Sequence, residues 1–132
     1  MIRNGVNGKE VPLSNTICPN PSRGEVWDID FDPTIGSEIE KTRPAVVVSI
    51  DNIGILPIKI VAPITKWKTA FSGRIWIVRI KHNKTNGLTK ESAIDTLQVK
   101  GVDILRFRKK LGQLTAAQMD DITAAIAAII DY

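Results

Sequence analysis

The run Pro44-Ala-Val-Val-Val-Ser-Ile50 limits the possible folds more than any other part of the chain. It carries no charge and is largely β-branched, which disfavours a helix and favours a strand. An apolar run without polar alternation is expected where both faces of a strand are covered, so it reads as a central strand. Pro44 would stand at its first position, where a missing N–H matters least.

Shorter segments of the same kind surround it. From Glu25 the pattern alternates, with Trp27, Ile29 and Phe31 on one face and Asp28 and Asp30 on the other, as in a half-buried strand. Asp32-Pro33 ends it, and a loop runs through Gly36-Ser37-Glu38 to Thr42. Asp51-Asn52 and Gly54 mark a turn before a further strand, Ile58 to Ile64. Arg74 to Ile80 alternates again, Asn86-Gly87 is a strong turn signal, and Ala93 to Val99 reads as a fifth strand. Asp103 is placed to cap a short helical turn before Phe107.

The end of the chain is helical. Thr115-Ala-Ala-Gln118 fits a capping box, Leu114 and Met119 fit a hydrophobic staple, and Met119, Ile122, Ile126, Ile129 and Ile130 share one helical face. Five short strands followed by one amphipathic helix predict a mainly β fold, a small antiparallel barrel with the helix packed on it. The 132 residues suffice for one domain. Residues 1–22, rich in Gly, Pro, Asn and Ser, read as a flexible or loosely docked arm, and 23–132 as the domain.

Composition excludes several chemistries. One Cys excludes a disulfide framework and multi-Cys metal sites, and one His excludes two-His zinc motifs and RNA cleavage by paired His. There is no GxxxxGK[ST] loop, GxGxxG turn or HExxH motif. Asp28, Asp30 and Asp32 read as a solvated face rather than a metal site, so no metal and no cofactor are expected. No apolar run is long enough for a membrane span and the first residues lack a signal-peptide stretch, which makes the cytoplasm the expected setting. Net charge is +4, and no acidic residue lies between Asp51 and Glu91, a stretch that holds Lys59, Lys66, Lys68, Arg74, Arg79, Lys81, Lys84 and Lys90. Such a stretch is either a solvated surface or a track for a phosphate backbone or acidic partner.

The chemistry that remains sits at strand ends. Arg43 directly precedes the central strand and Thr65 directly follows Ile58–Ile64. If those strands pair antiparallel, the two become neighbours at one rim, beside the loop with Ser37, Glu38 and Lys41. A guanidinium, a hydroxyl and a carboxylate together suit phosphodiester cleavage without a metal. On the residues alone a second account stays open, in which Arg43 merely pairs with Glu38 and Thr65 caps the next turn.

Several motifs then add up. Arg23-Gly-Glu-Val-Trp27, Asp32-Pro-Thr-Ile-Gly-Ser-Glu38, Thr42-Arg-Pro-Ala-Val-Val-Val-Ser49, Ala62-Pro-Ile-Thr65, Gly87-Leu-Thr-Lys-Glu-Ser92, Gln98, Val102-Asp103 and Lys110-Leu-Gly-Gln-Leu-Thr115 together resemble the MazF/PemK (Kid) toxins of bacterial toxin–antitoxin systems. The resemblance runs from Arg23 to Tyr132. It implies an SH3-like, CcdB/MazF-like barrel, a homodimer, and a sequence-specific, metal-independent endoribonuclease. Such enzymes act on single-stranded mRNA and leave a 2′,3′-cyclic phosphate and a 5′-OH. By the same resemblance Arg43, Thr65 and Glu38 are the catalytic candidates. RNA-binding candidates are Ser37, Lys41, Lys66, Trp67, Lys68, Gln98 and Lys100, the last standing where the family often has an Arg-Thr pair. An acidic antitoxin with a disordered C-terminal tail is the implied protein partner. Two alternatives remain beside the nuclease: a CcdB-like toxin acting on DNA gyrase through the tip of the last helix, and an inactive relative that only binds RNA or antitoxin.

Overall fold

The computed structural model describes residues 20–31, 42–52 and 55–132. Nearly all of the N-terminal arm, and the loop bearing Ser37, Glu38 and Lys41, lie outside the described residues. So does Asp32, which leaves the three-Asp alternation only partly visible.

The described residues form seven strands: β1 (Glu25–Asp30), β2 (Thr42–Val47), β3 (Ile58–Lys66), β4 (Ile77–Ile80), β5 (Ser92–Asp95), β6 (Lys100–Asp103) and β7 (Phe107–Gln113). Helix α1 (Ala116–Ile129) ends the chain. Every pairing is antiparallel, in the order β4-β5-β3-β2-β1-β7, with β6 on the same strand β3 as β5. The chain is mainly β with one C-terminal helix, as the pattern of short strands predicts. No ladder joins the outer strands β4 and β7 among the described residues; the turn around Thr85 bridges them instead, its carbonyl accepting from Gln113 N–H at 2.9 Å.

The central strand is as dry as its sequence requires. Ala45, Val46 and Val47 are fully buried, and they face two different clusters. Val46 joins Val26, Ile64, Ile94 and the helix residues Met119 and Ile122; Ala45 and Val47 join Ile29, Val61, Val102 and Phe107. Two sheets' worth of side chains thus meet on either side of one strand.

Pro44 departs from expectation in an instructive way. It is the third residue of β2, not the first. Val48 N–H donates to Ile60 O at 2.9 Å, so the hydrogen-bonded pairs between β2 and β3 fall on even-numbered β2 residues. Pro44 would be the next such donor and has no N–H to give. The recorded ladder accordingly stops at Ala45–Pro63. Pro63 belongs to the other parity, so its nitrogen points at the opposite edge of β3. There it falls between the β6 pairing, which ends at Val61, and the β5 pairing, which begins at Ile64. Pro63 thus sits where no ladder bond is lost, and Pro44 where the β2–β3 ladder ends.

Several elements differ from the sequence reading. The fifth strand is shorter, Ser92–Asp95, because Asp95 accepts from Leu97 N–H and turns the chain into a 3₁₀ segment, Thr96–Gln98. Arg74 to Trp76 is turn, held by Arg74 N–H to Phe71 O and Ile77 N–H to Arg74 O, so β4 starts only at Ile77. Strands β6 and β7 have weak alternation, and β7, Phe-Arg-Lys-Lys-Leu-Gly-Gln, exposes most of its side chains. The helix signals hold: Thr115 Oγ1 accepts from Gln118 N–H at 3.1 Å and Gln118 Oε1 from Thr115 N–H at 2.9 Å. Leu114 and Met119 lie in one cluster, while Ile130 falls past the helix end and is exposed. Asp103 caps its short turn through Leu105 N–H at 2.8 Å.

Candidate active site

The parting of β2 and β3 creates the site. The recorded β2–β3 register ends at Ala45–Pro63; beyond it Arg43 pairs with Ile29 of β1 and Thr65 with Ala93 of β5. The cavity here has a volume of about 510 Å³, and Lys66 from the end of β3 also lines it. Arg43 and Thr65, expected just outside their strands, lie within β2 and β3, and both line the one cavity.

Other walls were not anticipated. Asp28 of β1 lines the cavity, and so do Thr89, Lys90 and Ser92 from the segment before and at the start of β5. Asp28 thus parts company with Asp30, which pairs with Arg108 at 2.9 Å. Among the described residues, the lining carries Arg43, Lys66 and Lys90 against the single carboxylate of Asp28, with the hydroxyls of Thr42, Thr65, Thr89 and Ser92 around them. That combination accepts an anion and offers it hydrogen-bond donors. The signal for Thr89 and Lys90 lay in the motif Gly87-Leu-Thr-Lys-Glu-Ser92, whose position over the β3 end depends on long-range folding.

Asn86 holds this wall in place. Its side chain is almost completely buried and hydrogen-bonded through both its oxygen and its nitrogen. Oδ1 accepts from Asn83 N–H and Leu88 N–H, each at 3.0 Å, and Nδ2 donates to Lys81 O at 3.0 Å. Gly87 follows at φ 71°, and a Cβ there would collide with the Leu111 carbonyl of β7. The turn is thereby locked against β7, which sets the height of Leu88 to Lys90 over the cavity.

The remaining candidates fall elsewhere. Trp67 N–H donates to Glu91 O at 3.0 Å, and the Trp67 ring lies under the Arg79 guanidinium, 4.4 Å from its centroid. Lys68 is exposed before the 3₁₀ turn Thr69–Phe71. Gln98 Nε2 donates to Asp95 Oδ2 at 2.8 Å and does not line the cavity. Lys100 is also off the cavity, on β6, with Nζ 5.6 Å from the Phe31 ring. Ser37, Glu38 and Lys41 lie outside the described residues.

Two ion pairs flank the site. Glu91 grips Arg79 with both oxygens, at 2.7 and 3.1 Å; this hydrogen bonding lowers the Glu91 carboxyl below the usual range and raises Arg79. Glu25 is different. Burial pushes its carboxyl up, but Ser22 N–H, Trp27 Nε1–H and the Lys110 ammonium outweigh that and leave it lowered.

Residues 22–130 match the family model of PemK-like, MazF-like toxins of type II toxin–antitoxin systems. That span is most of the chain. The chain belongs to this toxin family. Among relatives of the toxin, "Endoribonuclease MazF9" of Mycobacterium tuberculosis is 27% identical over 116 residues, covering 83% of this chain and 95% of the relative. A solved MazF from Deinococcus radiodurans superposes with a TM-score of 0.67 at 19% identity, covering 88% of the toxin and 99% of that chain. A mycobacterial endoribonuclease solved in complex with its cognate antitoxin superposes at 0.65 and 18% identity, covering 84% and 95%. These structural likenesses establish the fold. Among the described residues of the toxin, no helix is long and apolar enough to cross a membrane.

Proposed function

We propose that the toxin is a metal-independent, sequence-specific endoribonuclease that cuts single-stranded mRNA. The 2′-oxygen attacks the adjacent phosphorus, the P–O2′ bond forms, and the bond to the 5′-oxygen breaks. The products are a 2′,3′-cyclic phosphate and a 5′-OH. The observation that carries this reading is the shared cavity of Arg43 and Thr65 at the point where β2 and β3 separate.

Arg43 is assigned to the non-bridging oxygens, where a guanidinium fork stabilises the extra charge of the phosphorane, and to proton donation toward the leaving 5′-oxygen. Thr65 positions the scissile phosphate or the 2′-OH. Glu38 holds Arg43 or accepts the 2′ proton. Lys66 within the cavity and Trp67 and Lys68 beyond it follow the strand, while Ser37, Lys41, Gln98 and Lys100 contact it from the loop and from the far end of β3's partner strands.

The toxin acts in the cytoplasm as a homodimer, and an acidic antitoxin with a disordered C-terminal tail neutralises it by lying over the basic cavity. Charge supports that partner: the lining is cationic, and residues 52–90 contain no acid. The mycobacterial relative solved with its antitoxin supports it as well. The family match does not favour the gyrase-directed alternative.

Arg43→Ala tests the assignment. Cleavage of a long single-stranded RNA in the presence of EDTA should fall by at least about 100-fold, the size of effect seen when one transition-state donor is removed. Circular dichroism and the thermal midpoint should stay at the wild-type values. Wild-type cleavage by this variant would remove Arg43 from the chemistry.

A further inference from the structure

The segment between β3 and β4 holds a feature that the cleavage chemistry does not use. Trp67 and Phe71 meet edge to face, with ring centroids 5.9 Å apart. The Arg79 guanidinium covers Trp67 at 4.4 Å. The Arg74 guanidinium stands 5.6 Å from the Phe71 centroid and 5.9 Å from that of Trp76. Rings and cations thus follow one another as Trp76, Arg74, the Phe71–Trp67 ring pair and Arg79, and Glu91 anchors the last of them. Three guanidinium–ring contacts fall within residues 67–79.

We propose that this ladder is a base-stacking platform for single-stranded RNA leaving the cavity, with Arg74 and Arg79 as stacking planes rather than simple charges. The inference rests on the reading of the cavity as an RNA-cleavage site. Four observations carry it. The ladder begins at the cavity mouth: Lys66 lines the cavity and Trp67 is the next residue, while Ser92 lines it and Glu91 precedes it. The cations are accessible; Arg74 is exposed and the Arg79 side chain is 54% exposed. The rings are only half-buried, so the ladder is no part of either core cluster. The surroundings, with Lys66, Lys68 and Lys81, suit a phosphate backbone running alongside.

Chemistry selects the ligand. Guanidinium planes and aromatic rings both stack on nucleobases, whatever the base. Glu91 holds the Arg79 fork with two hydrogen bonds, which fixes its plane over Trp67 and leaves the outer guanidinium face for a base. A duplex hides its base faces, so the platform takes unpaired strands. Because stacking is tolerant of sequence, it supplies affinity for the flanking strand while the cavity determines where the cut falls.

The test compares the wild-type chain with the double variant Arg74→Lys/Arg79→Lys, which keeps both charges and removes both planes. Binding of fluorescein-labelled poly(A) RNA is followed by anisotropy over a series of salt concentrations. The platform predicts about tenfold weaker binding by the double variant, with an unchanged slope against log salt and an unchanged thermal midpoint. Phe71→Leu, which keeps the apolar bulk, should weaken binding in the same way. Cleavage of a short RNA confined to the nucleotides around the cut should be unaffected in both. Equal poly(A) affinity in wild type and double variant overturns the platform, and the nuclease reading stands if the wild type still cuts. Loss of short-substrate cleavage, or a lowered midpoint, also overturns it, since the ladder would then be a brace for the segment. Loss of poly(A) binding in a chain whose wild type never cuts RNA supports the platform and removes the nuclease reading.

Discussion

Arg43 and Thr65 stand 22 positions apart in the chain and line one cavity. A hydroxyl at position 65 separates two roles cleanly. Thr65→Ser keeps the donor and should retain most cleavage, whereas Thr65→Ala should lower kcat by about 100-fold with KM little changed, if the hydroxyl acts mainly on the transition state. A second residue prediction concerns acid stability. The folded Glu25 carboxyl lies below its unfolded value, so its contribution to stability is present at neutral pH and is lost as pH falls through the carboxylate range. Glu25→Gln should therefore lower the thermal midpoint at neutral pH and flatten its decline toward acid; a decline as steep as wild type would deny the carboxylate this role. The Arg43–Thr65 pair was legible because antiparallel neighbours in sequence bring one strand's start beside the next strand's end. Asp28 and Lys90 were not, because their arrival depends on β1 and on the Asn86-locked turn, which no local pattern encodes.

Elements owe their limits here to residues that cannot donate or cannot be larger. Pro44 stops the β2–β3 ladder and Asn86-Gly87 presses against β7. Gly112 faces that turn from the other side, and a Cβ on it would meet the Thr85 carbonyl oxygen and lie 2.7 Å from the Asn86 oxygen. Gly112→Ala should thus destabilise the toxin by about 1–3 kcal/mol, as overpacking against backbone does, measured by urea denaturation. A change within experimental error would mean that the turn yields freely. At the helix, Thr115→Ala removes a complete capping box and should cost about 1 kcal/mol by the same measurement. The two covered faces of β2 and the capped helix were readable from hydrophobic rhythm and cap residues. Strand β7 was hidden, since a strand that buries Phe107 and little else has almost no period-two signal. The early end of β5 was hidden for another reason: Asp95 captures Leu97 N–H, a local bond that competes with the ladder.

At the scale of the molecule, a cationic cavity opens where the sheet splits, and an aromatic and cationic surface begins one residue from its lining. Both features favour a negatively charged, extended ligand, whether an RNA strand or an acidic antitoxin tail. Competition follows from shared ground: an acidic peptide that protects RNA from cleavage should lose that protection steeply as salt is raised. Salt-independent protection would place the contact on the apolar surface instead. Cleavage through the 2′-oxygen beside Arg43 and Thr65 stands or falls on one substrate. A single-stranded RNA is first cut by the toxin in EDTA and its ends are mapped; the same RNA is then made with one 2′-deoxy nucleotide at the cut. The first RNA should yield a 2′,3′-cyclic phosphate and a 5′-OH, and the second should stay intact. Cleavage of the 2′-deoxy RNA at that position would contradict attack by the 2′-oxygen.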